Sequence, residues 1–139
     1  MLKTFYINNW SENFSDSIQE TAIDSLEKGE VLTFPSLSFQ LLPEEKCFLS
    51  PDYADPHAKN ISYQASCHKL WGVQRLNDEA RLQLQAMLDR FSRYALTLVQ
   101  NLLPAYAKEV IIARTSFRPI QISTRKTSYR KDDKRLHID

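Results

Sequence analysis

Between Asn77 and Leu103 the apolar residues fall on one side of a helix, and no other feature of the sequence limits the fold as strongly. Leu84, Met87, Leu88, Phe91, Ala95, Leu98, Val99 and Leu102 keep an i, i+3, i+4, i+7 spacing. Arg81, Gln85, Asp89, Arg93 and Gln100 take the remaining faces. Asn77 is a capping residue, and Pro104 stops the helix because it cannot continue the hydrogen-bond ladder. The spacing predicts burial of Leu84, Leu88, Phe91, Ala95, Leu98 and Leu102. Such a stripe is core packing rather than a cofactor face. It requires other elements to cover it.

The rest of the chain supplies them. A first helix is expected over Asp16–Lys28, capped by Ser15 or Asp16, with Ile18, Ala22, Ile23 and Leu26 at helical spacing and Gly29 as its left-handed terminator. Val31–Phe34 reads as a short strand ended by Pro35. Pro43-Glu44-Glu45 opens a helical turn, since proline and acidic residues suit a first turn. Residues 50–75, with Pro51, Pro56, Asn60 and Gly72, read as a long irregular connection. Val110–Ala113 and Phe117–Ile122 read as strands, with Pro119 arguing for an edge or a bulge.

A chain of 139 residues suffices for one domain with a real core. Its 2 glycines exclude glycine-rich phosphate loops. MLKTFYINNW lacks the apolar stretch of a secretory signal, and no apolar run is long enough to span a bilayer. Cys47 and Cys67 show no metal-ligand spacing and are expected to be reduced thiols. The net charge of +1 conceals an asymmetry. Residues 1–113 carry 10 Lys/Arg against 14 Asp/Glu, a net −4, and residues 114–139 carry 8 against 3, a net +5. A basic segment on an acidic body suggests an anionic partner: phosphate, carboxylate, nucleic acid or membrane headgroups.

That segment ends on His137-Ile138-Asp139. In a strand, residues i and i+2 point to one face. His-x-Asp would then aim an imidazole and a carboxylate at one point, as in the 2-His-1-carboxylate triad that holds Fe(II) and leaves positions open. A second His would have to come from a later strand. The alternative is a solvated polar tail. His57 and His68 are isolated, and a metal role is not expected of either.

The run Arg125-Lys126-Thr127-Ser128-Tyr129-Arg130-Lys131-Asp132-Asp133-Lys134-Arg135-Leu136-His137-Ile138-Asp139, with Thr115-Ser116-Phe117-Arg118-Pro119, resembles the Kdo hydroxylase family. Asp55-Pro56 followed by Asn60-Ile61-Ser62-Tyr63 also looks like a family segment. The resemblance spans most of the chain. It implies an Fe(II)- and 2-oxoglutarate-dependent dioxygenase acting on the sugar Kdo of lipopolysaccharide. It implies an α+β fold, with N-terminal helices packed on the beginning of a double-stranded β-helix (jelly-roll) sheet, and a single domain over residues 1–139. His137 and Asp139 would be the first two metal ligands. The distal His, and the basic residue that anchors 2-oxoglutarate, have no counterpart here, so the chain is expected to be the N-terminal, truncated part of such an enzyme. Fe(II) and 2-oxoglutarate are expected of the full-length protein. A cytoplasmic location is expected, with peripheral contact at the inner membrane.

Arg125, Lys126, Arg130, Lys131, Lys134 and Arg135 have two readings. They would face Kdo carboxylates or lipid phosphates, because guanidinium forks match both. Or they line a solvated edge, partly neutralised by Asp132 and Asp133. Three functions remain open: a Kdo-lipid hydroxylase, an oxygenase of the same cofactor class with another substrate, or a non-catalytic module binding anions or nucleic acid. Nucleic acid is the less favoured partner, because only Tyr129 is an aromatic interleaved with the basic residues.

Overall fold

The structure, a computed structural model, describes residues 1–55 and 60–119. They fall into two compact units, Met1–Leu41 with Ala86–Ala113, and Leu42–Gln85 with the described residues from Arg114 onward.

In the first unit, β1 (Leu2–Thr4) and β2 (Val31–Thr33) pair in parallel, Leu2 opposite Val31 and Thr4 opposite Thr33. Parallel neighbours need a crossover, and α1 (Asp16–Glu27) supplies it. Ser15 caps α1 by accepting from the Ile18 N–H at 3.4 Å. Gly29 ends it at φ 76°, with its N–H bonded to the Leu26 carbonyl at 2.9 Å. β2 stops one residue short of Phe34. The Phe34 ring stacks on Phe5 with centroids 5.8 Å apart. Phe5, Ala22, Leu102 and Leu103 form the unit's core, flanked by Phe14, Ile23, Leu32, Phe34 and Val99.

The long helix is α2 (Asp78–Leu102). Asn77 caps it, its side-chain oxygen accepting from the Ala80 N–H at 2.8 Å. Leu84, Met87, Leu88, Leu98 and Leu102 are buried as the stripe requires. Phe91 and Ala95 are not: both are half-buried. The Phe91 ring belongs to a surface-reaching aromatic group, edge-on to Phe39 at 5.5 Å and to Trp10 at 6.0 Å. Val110–Ala113 forms no strand. Its β-branched residues have no ladder partner among the described residues, and Ile111 stays 89% exposed.

The second unit corrects the expectation of an irregular stretch over 50–75. A 3-10 helix over Pro43–Leu49 begins where proline and acidic residues predict a turn. Its Glu45 is buried, and the carboxylate accepts from the Leu42 N–H at 2.9 Å. Further on, β3 (Ile61–Gln64) and β4 (Lys69–Trp71) form an antiparallel hairpin. A 3-10 turn over Ala65–Cys67 connects them, closed by His68 in the left-handed region at φ 50°. β5 (Thr115–Phe117) adds to the other edge of β3, giving the order β4-β3-β5.

Helices and small sheets thus share the chain, as an α+β class requires. Both cysteines are free and exposed. Among the described residues, no helix is long and apolar enough to cross a membrane.

Candidate functional site

The three-stranded sheet separates its side chains by pleat. Across the ladder, Tyr63 faces Leu70 and Thr115, and Ile61 faces Phe117. Ile61 and Tyr63 are fully buried, so this is the inner face. The alternate residues make the outer face. Ser62 lies opposite Trp71 on one side and Ser116 on the other, and Gln64 lies opposite Lys69. Two residues to either side of Ser116 are Arg114 and Arg118, both exposed.

Cations on this outer face lie beside an indole ring or a side-chain amide. The Arg114 guanidinium sits 4.1 Å from the Trp71 ring centroid, and the Lys69 ammonium 5.1 Å from it. β4 and β5 lie on opposite sides of β3, about 10 Å apart at two strand spacings. A long arginine and an indole meet across that gap because Ser62 between them is small. Each such contact contributes about 0.5–1 kcal/mol at an exposed site. Arg118, the third cation, donates from Nε to Asn60 Oδ1 at 2.6 Å. Residues 60–72 and 114–118 contain no Asp or Glu. Asp55, whose backbone N–H bonds to the Gly72 carbonyl, directs its carboxylate to the Gln74 N–H at 3.0 Å.

The sheet also joins the two described segments that carry the family resemblance. Asn60-Ile61-Ser62-Tyr63 supplies β3 and its lead-in, and Thr115-Ser116-Phe117-Arg118-Pro119 supplies β5. The placement of Lys69 and Trp71 on one strand escapes the periodicity, because a strand of three residues inside a stretch rich in turn residues carries almost none. The legible signal was the alternation Lys-x-Trp and Arg-x-Ser-x-Arg, which puts each set on one pleat face.

The expected metal ligands His137 and Asp139 lie outside the described residues, as do Arg125, Lys126, Arg130, Lys131, Lys134, Arg135 and His57. His68 is described, and its Nδ1 is 3.1 Å from the Tyr63 hydroxyl in the β3–β4 turn. Among the described residues, no group of three His, Cys, Asp or Glu is placed to hold a metal ion. The donor set at the C-terminal end of the sequence nevertheless suits Fe(II): one imidazole and one carboxylate at i, i+2.

Residues 9–139 match the family of 3-deoxy-D-manno-oct-2-ulosonic acid (Kdo) hydroxylase. No match was found among curated proteins. Among solved structures, the chain is similar to the Kdo hydroxylase KdoO, a non-heme Fe(II) alphaketoglutarate dependent dioxygenase. To its complex with alphaketoglutarate and Fe(III) the identity is 42% and the TM-score 0.88, covering 99% of this chain and 45% of that one. To its apo structure the identity is 43% and the TM-score 0.89, covering 99% and 46%. To its cobalt(II) complex the values are 43% and 0.90, again over 99% and 46%. The chain spans less than half the length of these solved relatives. It belongs to the Kdo hydroxylase family.

Proposed function

We propose that this chain forms the N-terminal part of an Fe(II)/2-oxoglutarate-dependent dioxygenase that hydroxylates Kdo in lipopolysaccharide or Kdo-lipid A. The observation that carries the reading is the 42% identity to a Kdo hydroxylase that is a non-heme Fe(II) alphaketoglutarate dependent dioxygenase, sustained over 99% of this chain.

His137 and Asp139 are the two metal ligands this sequence contributes. The third ligand and the anchor for the far carboxylate of 2-oxoglutarate belong to the additional length that the solved relatives have. The fold of this reading is α+β, N-terminal helices packed on the beginning of a double-stranded β-helix (jelly-roll) sheet, within a single domain that includes residues 1–139. Bound Fe(II) with 2-oxoglutarate supplies the oxidising power for hydroxylation. The work of this chain's own residues is to hold two ligands on one pleat face and to present cations to an anionic sugar. Arg125, Lys126, Arg130, Lys131 and Arg135 provide those cations, with guanidinium forks matched to carboxylate and phosphate. The reaction takes place in the cytoplasm, at the inner membrane surface.

A protein that carries this sequence together with the remaining family length tests the reading. Incubated with Fe(II), 2-oxoglutarate, oxygen and a Kdo-containing lipid, it should release succinate and hydroxylated sugar in equal amounts. Turnover with another acceptor and none with Kdo would replace the substrate while keeping the cofactor class.

A further inference from the structure

We infer that Val110–Ala113 is the acceptor edge for a β-strand supplied by the remaining length of the same polypeptide, a strand whose apolar side chains cover Ile111. The inference deepens the proposed function and rests on it in one respect: this sequence is part of a longer protein.

The segment has the chemistry of a strand and lacks only its neighbour. Val110, Ile111 and Ile112 are consecutive β-branched residues, the type enriched in strands. Their exposure alternates. Val110 and Ile112 are half-buried, whereas Ile111 and Ala113 are exposed, which is the period of two shown by a strand with one covered face. Ile111 is 89% exposed, more than any other described large apolar residue except Met1. The turn just before the segment is closed, with the Glu109 N–H bonded to the Tyr106 carbonyl at 2.9 Å. From Val110 to Ala113, no backbone N–H or C=O is hydrogen-bonded among the described residues. A row of bare donors and acceptors beside apolar side chains is a template for strand addition, and native proteins cover such edges.

The occupant follows from length. The chain covers only 45–46% of the solved relatives, so more than half of such a protein lies beyond the part compared. A strand tethered in the same polypeptide meets this edge at an effective concentration on the order of millimolar, which disfavours a second copy as competitor. The four acceptor residues carry no charge, so the strand that fits them is apolar rather than charged.

Amide exchange followed by NMR tests the inference on the 139-residue chain and on the protein carrying the remaining family length. No iron, 2-oxoglutarate or sugar is present, so the outcome is separate from that of the oxygenase assay. A longer protein that protects this edge and hydroxylates nothing would refute the function alone. In the 139-residue chain all four amides should exchange rapidly at every protein concentration. In the longer protein two alternate amides, those of Val110 and Ile112 or those of Ile111 and Ala113, should exchange at least about tenfold more slowly, because a strand turns every second amide toward one neighbour. Ile111→Lys should lower the urea midpoint of the longer protein and leave that of the 139-residue chain unchanged. Ile111→Thr, which keeps the β-branch, should show the same contrast to a smaller degree and serves if the lysine variant does not fold. Rapid exchange of all four amides in the longer protein would overturn the inference, as would equal effects of the substitutions in the two proteins. Protection that grows with the concentration of the 139-residue chain would also overturn it, by assigning the edge to a second copy.

Discussion

Arg118 and Asn60, 58 positions apart in the sequence, meet through a hydrogen bond of 2.6 Å from the guanidinium Nε to the amide oxygen. The pair joins the end of β5 to the start of β3 on the outer face of the sheet. It therefore reports whether these two family segments pair as described. Asn60→Ala should cost about 0.5–1.5 kcal/mol, the usual net range for one hydrogen bond, read from urea denaturation. Amide exchange should rise at Ser62 and Ser116. Unchanged exchange there would mean that the strands are held without this contact.

The α2 stripe makes a second prediction. Leu84 is fully buried and Leu82, two residues earlier, is 67% exposed. Leu84→Ala should cost about 2–5 kcal/mol through lost burial and a residual cavity. Leu82→Ala should stay within about 0.5 kcal/mol. Phe91→Ala should fall below the roughly 3–5 kcal/mol of a fully buried phenylalanine, because its ring is half-buried. Equal losses at positions 82 and 84 would show that the helix is rotated.

How much could be read in advance depended on how far each signal extended along the chain. The 25 residues of α2 repeat their pattern often enough to fix one face. Ser15 and Gly29 mark the ends of α1 by local chemistry alone, a hydroxyl cap and a left-handed turn. Strands of three or four residues offer no comparable repeat, so β3 and β4 were hidden within an apparent loop. Val110–Ala113 failed in the opposite sense, since β-branched residues form a strand only when a ladder partner exists. The outer-face cations were visible as charges, but their gathering on Trp71 depends on a register that no local pattern encodes. His137 and Asp139 are legible as a motif and fall outside the described residues.

Gly29 gives a third test. Its φ is 76°, and a Cβ built there would meet nothing within 4 Å. The cost of Gly29→Ala is then purely backbone strain, about 1–2 kcal/mol for a left-handed L-residue. Gly29→Asn should cost less, because asparagine tolerates that region better. A thermal melt of both variants decides, and a neutral alanine would mean that the turn has changed conformation.

A fourth concerns alkaline pH. The Tyr106 hydroxyl donates to Glu27 Oε1 at 3.0 Å, and that bond, with burial and the nearby charge, raises the tyrosine above its ordinary value of 10.0. A group whose folded value is raised contributes stability that is present below the unfolded value and lost as pH rises through the folded one. Tyr106 should therefore ionise later than a free tyrosine, and Glu27→Gln should lower its midpoint. The carbon-13 shift of the Tyr106 ring followed against pH measures this. No change in Glu27→Gln would dissociate the shift from the hydrogen bond.

His137 and Asp139 are proposed as two metal ligands of a 2-oxoglutarate-dependent Kdo hydroxylase. Succinate release by the protein carrying the remaining family length, with Kdo-containing lipid as acceptor, tests it most directly. The wild-type protein should couple succinate to sugar hydroxylation, His137→Ala and Asp139→Ala should abolish both, and the 139-residue chain alone should bind Fe(II) weakly and turn nothing over. Full activity in His137→Ala, or an intact protein that never consumes 2-oxoglutarate with any sugar or lipid supplied, would contradict the account.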